Sequence, residues 1–136
     1  MRFRLFALTA VLAASAAGAA SAHHSFAMYE RERIVTVSGT VREYDWVSPH
    51  VTIEVVRDGA KGVDVWPIEG SSPTVLSRGG WTSSLVKPGD KISLGVHPRK
   101  DGQPGGLLAD DREVLINGRP AKGVLWLTPA EDNCAH

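Results

Sequence analysis

Imidazole is the side chain best suited to chemistry at neutral pH. Four of the five histidines in this chain, His23, His24, His50 and His97, stand where they could converge. His23 is singled out by what precedes it. Met1-Arg2-Phe3-Arg4 is a short basic head, residues 5–20 are apolar and alanine-rich, and Ala20-Ser21-Ala22 is a small-x-small site of the kind signal peptidase cuts. Cleavage after Ala22 makes His23 the first mature residue. Its α-amine and one imidazole nitrogen then form a chelate, and one further imidazole gives the three-nitrogen arrangement called a histidine brace. Such donors suit Cu(II), which heads the affinity order of the divalent first-row ions. His24 is an adjacent donor, and His50 and His97 are the candidates for the third nitrogen. The plainer reading is that the two adjacent histidines form a polar lead-in, and that His50 closes a turn with its ring bonded to backbone. A copper redox enzyme would need an open coordination position and a substrate surface as well.

A second constellation is aromatic. In Glu43-Tyr44-Asp45-Trp46-Val47-Ser48-Pro49-His50 a strand runs into a turn that carries an aromatic pair, a rigid proline and a histidine. Together with Trp66, the residues Tyr44, Trp46, Pro49 and His50 make the expected ligand or partner surface, since tryptophans are frequent interface anchors. Trp46 flanks a turn and is expected to be partly exposed, while Trp81 and Trp126 are expected in the core. Other candidates carry less. Asp110 and Asp111 are paired carboxylates on a loop, and Glu54 and Glu69 could face one another across neighbouring strands. Ser71 and Ser72 belong to a helix cap rather than a G-x-S-x-G elbow. Phosphate loops, dinucleotide fingerprints and zinc cysteine sets are missing from the sequence.

The elements that must position these residues have mostly a period of two. Val35, Val37 and Val41 fall on one face, interrupted by Gly39, which marks a bend or bulge. Val51, Ile53 and Val55 repeat the pattern, with His50, Thr52 and Glu54 opposite. A third strand covers residues 63–69, where Pro67 suggests an edge position or a strand end. Ser72-Pro73 starts a short helix that Gly79-Gly80 stops. Ile92, Leu94 and Val96 alternate again, with His97 on the opposite face. Residues 98–106 read as a long polar loop. The last strands are expected over residues 114–116 and 124–127, separated by the hairpin-favouring pair Asn117-Gly118.

Three strands, a short helix, then two or three more strands is the order of a small OB-like barrel of five or six strands. The fold class is therefore mainly β, with an open β-sandwich as the alternative. Residues 1–22 are the signal peptide, 23–33 a lead-in, 34–128 a single barrel domain and 129–136 a polar tail. In the OB order His97 lies near the start of the first strand and His50 beyond its far end. Some ten residues separate His24 from Ile34 and span roughly 30 Å when extended, so the tether reaches either.

Composition narrows the function classes. The chain has 15 basic and 15 acidic residues, and loss of Arg2 and Arg4 leaves 13 against 15. A near-neutral mature domain has no electrostatic footprint for nucleic acid. The single cysteine, Cys134, makes no internal disulfide and lies in the polar tail. Burial of apolar surface alone must then supply the stability, which a chain of this length permits.

Several motifs together resemble an uncharacterised family of small exported bacterial proteins, domain of unknown function 6152. They are His23-His24-Ser25-Phe26, Gly39-Thr40-Val41, Trp46-x-x-Pro49-His50, Glu69-Gly70-x-x-Pro73 and Gly80-Trp81-x-x-x-Leu85-x-x-Gly89-Asp90. The resemblance covers nearly the whole mature chain. It implies export and a small β-rich fold, and it implies no activity. The chain departs from the pattern at Ser48, where asparagine is expected, and at His97, where another residue type is expected. The resemblance thus favours His50 as the third nitrogen, whereas strand topology favours His97.

The sequence reading is a periplasmic or secreted bacterial accessory domain rather than an enzyme. It has no membrane anchor after cleavage, and it binds a periplasmic protein or a small ligand near the Trp46–His50 turn. Copper binding through His23 is the alternative. Intact-mass analysis of the exported protein should give the mass of residues 23–136; a retained leader, or trimming at another bond, would remove the His23 chelate.

Overall fold

A computed structural model of the protein describes residues 26–124. Among these residues the elements are β1 (Val35–Asp45), β2 (Thr52–Gly59), β3 (Gly62–Glu69), α1 (Pro73–Arg78), β4 (Lys91–Pro98), β5 (Gly106–Leu108), β6 (Leu115–Ile116) and β7 (Arg119–Pro120).

The long first strand pairs twice. Its first half is antiparallel to β4, with Val35 opposite Val96 and Thr40 opposite Lys91. Its second half is antiparallel to β2, with Thr40 opposite Val56 and Asp45 opposite Thr52. β2 and β3 are antiparallel, β3 and β5 parallel, and β5 and β4 antiparallel. The circuit β1-β2-β3-β5-β4-β1 is a closed five-stranded barrel with its helix between β3 and β4. This is a small OB-like barrel, and closure excludes the open sandwich. β6 and β7 form a hairpin added to β4, with Ile92 opposite Ile116.

Gly39 sits where β1 passes from one partner to the other. A Cβ there would overlap the Val56 carbonyl oxygen and come within 2.8 Å of the Val55 side chain. Two residues on, the β1–β2 register shifts between Val41 and Glu43. A side-chain-free position and a bulge together supply the coiling that closure needs. The inward residues of each strand then meet: Val37, Val41, Val51, Ile53, Val55, Ile68, Leu94 and Val96 are all essentially inaccessible. α1 forms as its sequence suggests. The Ser72 hydroxyl accepts from the Val75 N–H, Pro73 occupies the first turn, and the Gly79 and Gly80 N–H groups satisfy carbonyls of the last turn. Leu76 and Trp81 join the core from this segment.

Three expectations need correction. Residues 98–106 are not all loop, because β4 continues to Pro98 and β5 begins at Gly106. Among the described residues the last strands are Leu115–Ile116 and Arg119–Pro120, so the strand expected over residues 114–116 pairs with residues immediately after the turn. The turn between them is Asn117-Gly118 as expected, both with positive φ (52° and 78°), the conformation of a tight hairpin. Residues 125–127 and Trp126 lie outside the described part, as does Cys134. Finally, the lead-in is not a free tether over its whole length. Tyr29 is buried and bridges to Arg99, the Glu30 N–H donates to the Pro98 carbonyl at 2.9 Å, and the Lys100 N–H donates to the Met28 carbonyl at 2.9 Å. Pro67, which has no N–H to give, is exposed just before the β5 pairing begins at Ile68.

Gly39→Ala should lower stability by about 2–3 kcal/mol, the cost of overpacking against rigid backbone. Val63→Thr, at a position 71 % exposed, should stay within about 0.5 kcal/mol. Urea unfolding of the two variants decides the point; a harmless Gly39→Ala would refute the close approach of β1 to β2.

Candidate functional site

The outer face of β2 and β3 is flanked by the β1–β2 loop (residues 46–51) and the β4–β5 loop (residues 99–105). Between them lies a cleft of about 250 Å³ lined by Tyr29, His50, Thr52, Pro67, Glu69, Arg99 and Gly106. Strand register explains the convergence. Glu69 lies opposite Thr52 on β2 and beside Leu107 on β5, and Leu107 in turn faces His97 on β4. The β1–β2 loop is fixed to the end of β3, since the Gly70 N–H donates to the Val51 carbonyl at 2.7 Å and the Val51 N–H to the Ser71 carbonyl at 3.1 Å. His50 is carried to the cleft edge by that attachment.

Glu69 organises the polar groups. Its Oε2 accepts from the Tyr29 hydroxyl at 2.9 Å, and its Oε1 lies 3.4 Å from His50 Nδ1. The same Nδ1 is 3.2 Å from the Gly70 carbonyl oxygen. Both neighbours of Nδ1 are oxygen acceptors, an arrangement that favours the tautomer with its proton on Nδ1. The His50 side chain is 37 % exposed. Across the cleft Arg99 is held by Asp101 through a two-pronged contact of 3.0 and 2.5 Å. The Arg99 bonds, with the Gln103 N–H, hold the Asp101 carboxyl down to about 2.

The sequence-predicted residues do not all meet here. His50 lines the cleft and Pro49 is exposed beside it, after a cis Ser48–Pro49 bond. Tyr44 and Trp46 turn the other way. Their rings pack at 5.9 Å, both are half-buried against the core, and the Tyr44 hydroxyl donates to the Thr82 carbonyl at 2.9 Å. Trp66, expected on the ligand surface, is instead a core residue only 9 % exposed. Arg57 covers its ring at 4.3 Å, while Asp64 accepts from both Arg57 and the indole N–H, which lowers the Asp64 pKa. His97 lies beside the start of β1, as the topology requires, and its Nδ1 meets the Arg33 carbonyl at 3.0 Å. Glu54 and Glu69 are diagonal neighbours rather than opposite one another: Glu54 faces Pro67 and pairs with Arg42. His23 and His24 lie outside the described residues. Among the described residues no group of three or more His, Cys, Asp or Glu side chains is placed to hold a metal ion.

Sequence reasoning passed over Tyr29, Thr52 and Arg99, and it gave Glu69 no partner in the cleft. Glu69-Gly70 was available as a motif, and the structure shows why the pair matters: the carboxylate and the carbonyl both face His50. Tyr29 carried no signal beyond being an aromatic residue in a polar lead-in.

Burial, then the bond to Glu69, pushes the Tyr29 phenol up to about 12, and burial raises Tyr44 further. These are the only two tyrosines. Between about 10, the ordinary value, and 12 the folded chain keeps protons that the unfolded chain has lost. This stabilisation is complete below pH 10 and is lost as pH rises through the folded value. An absorbance titration should show no phenolate step near pH 10 in the native protein and both steps there in urea. A native step near 10 would mean that Tyr29 is not docked.

Residues 11–110 match the sequence pattern of a family of unknown function, DUF6152, and this span includes every residue named in the cleft. No curated protein matches the chain. With nearly three-quarters of its length matched, the chain belongs to the DUF6152 family.

Proposed function

We propose that this protein is an exported, non-catalytic accessory domain that holds a small ligand, or a segment of a periplasmic partner, in the cleft between the β1–β2 and β4–β5 loops. The observation that carries this reading is the position of the cleft. Its polar groups converge on the outer face of β2 and β3 between the two loops that OB barrels use for recognition. A small set of fixed polar groups in a concavity is also the general pattern of a ligand site. Here the fixed groups are the Glu69 carboxylate, the Tyr29 hydroxyl, His50 Nε2 and the Arg99 guanidinium.

A binding role is favoured over catalysis by the hydrogen bonds of the two described histidines. Both commit Nδ1 to backbone carbonyls, and neither ring is bonded to a hydroxyl or thiol that it could activate. The export half of the proposal rests on the basic head, apolar stretch and Ala20-Ser21-Ala22 site. Charge balance supports a partner other than nucleic acid.

Amide chemical shifts of chelator-treated protein, titrated with a panel of small amines, carboxylates and amides, test the location. Perturbations should cluster on Thr52, Glu69, Arg99 and the two loops. Thr52→Trp, which fills the cleft from an outward position, should remove them and leave the remaining spectrum unchanged. Perturbations centred on the β1–β4 face around Ser38 and Ser93, surviving Thr52→Trp, would overturn the reading.

A further inference from the structure

We propose that the cleft takes a small zwitterion, an α-amino acid or a molecule with the same pair of charged groups, whose carboxylate is received by the Arg99 guanidinium and whose ammonium group faces Glu69. This deepens the reading of the cleft as a binding site and rests on it.

The first argument is the unused edge of Arg99. A guanidinium offers its N–H donors in a planar fork, and one edge of the fork holds a carboxylate by two parallel bonds. Asp101 takes the edge formed by Nε and Nη2, at 3.0 and 2.5 Å. The other edge, formed by Nη1 and the second Nη2 hydrogen, has no hydrogen-bond partner among the described residues. Arg99 lines the cleft, and its side chain is only 28 % exposed. Asp101 therefore acts as a clamp. It fixes the plane of the guanidinium and leaves the second edge for another planar anion.

The second argument is the opposite charge in the same cleft. Glu69 is oriented by the Tyr29 hydroxyl at 2.9 Å and by His50 Nδ1 at 3.4 Å. Tyr29 ties the two charges together: its backbone bridges to Arg99, its hydroxyl reaches Glu69, and its phenol feels the charge of both. Yet the ion pair of Arg99 is made with Asp101. The cleft thus presents a carboxylate and a guanidinium that are close but held apart by their own partners. A lone anion at Arg99 would be repelled by Glu69, and a lone cation at Glu69 would be repelled by Arg99. A ligand carrying both signs a short distance apart gains from each.

The third argument is size. At about 250 Å³ the cleft is smaller than the ~300–1,000 Å³ pockets that enclose drug-sized molecules, so the ligand is short. Thr52, opposite Glu69 on the β2–β3 ladder, adds a hydroxyl with no partner among the described residues. Such a hydroxyl accepts from an ammonium group or donates to a carboxylate. Pro67 and Gly106 bring no further charge to the lining. An α-amino acid with a small side chain meets these limits.

The test titrates the isotope-labelled, chelator-treated protein with L-alanine, N-acetyl-L-alanine, L-alaninamide and propionate, and follows amide chemical shifts. L-alanine should shift Thr52, Glu69 and Arg99, and the three analogues, each lacking one of the two charges, should bind at least about tenfold more weakly. Arg99→Gln should weaken L-alanine and N-acetyl-L-alanine alike, and Arg99→Lys, which keeps the charge without the planar edge, should restore part of the loss. Glu69→Gln should weaken L-alanine and leave N-acetyl-L-alanine, which has no ammonium group, no weaker than before. A merely structural role for Glu69 would weaken both. L-alanine binding no tighter than its N-acetyl derivative would overturn the proposal, and so would equal losses for the two in Glu69→Gln or undiminished L-alanine binding in Arg99→Gln. Circular dichroism of each variant separates these outcomes from misfolding. If L-alanine leaves the spectrum unchanged while other small molecules still shift the cleft residues, the zwitterion assignment falls and the cleft reading stands. Shifts confined to the β1–β4 face would remove both.

Discussion

Everything in this molecule depends on one strand pairing along two edges. β1 gives its first half to β4 and its second half to β2, and the exchange takes place at Gly39 and Thr40. Without that exchange the sheet would have two open edges and one solvated face, and its valines and isoleucines would lack a common interior. With it, the inward residues of five strands share one core, and about 25 cal/mol per Å² of apolar surface is recovered from each. The requirement is geometric as well as energetic. The strand must coil sharply, so the side-chain-free Gly39 and the bulge at Arg42 fall within three residues of each other.

Closure also makes the cleft. Bringing β5 between β3 and β4 sets Leu107 beside Glu69 and opposite His97, and it puts the β4–β5 loop across from the β1–β2 loop. The lead-in then lies along the end of β4 and presses Tyr29 onto the same carboxylate that faces His50. The result is a chain of contacts from the N-terminal side of the domain to the first loop of the barrel, with Glu69 in the middle. The aromatic pair on that loop has a different task. Tyr44 and Trp46 fasten the loop towards Thr82, which steadies the backbone that presents His50.

Much of the barrel was legible because its strands alternate. Val51, Ile53 and Val55, or Ile92, Leu94 and Val96, announce both a strand and its inner face, and the helix announces itself with Ser72-Pro73 and Gly79-Gly80. β5 was not legible because Gly106, Leu107 and Leu108 are all buried and too few to show a period. Its pairing with β3 is parallel and non-local, so nothing nearby in the sequence encodes it. Trp66 was misplaced for a different reason. It shares the parity of Ile68, which is inward, and the alternation outweighs the general tendency of tryptophan to anchor interfaces. Of the cleft, His50 and the Glu69-Gly70 pair were visible as residues, but their meeting was not. Tyr29 reaches Glu69 across forty positions, and an isolated bridge of that kind leaves no periodic trace.

Glu69 and the Gly70 carbonyl fix the orientation of the His50 ring through Nδ1. Long-range nitrogen–proton correlation of the imidazole, recorded where the ring is neutral and in the absence of metal, reads this directly. The expected pattern is a proton on Nδ1 and a bare Nε2, disturbed in Glu69→Gln. A native ring protonated at Nε2, or one averaging freely between the two forms, would contradict it.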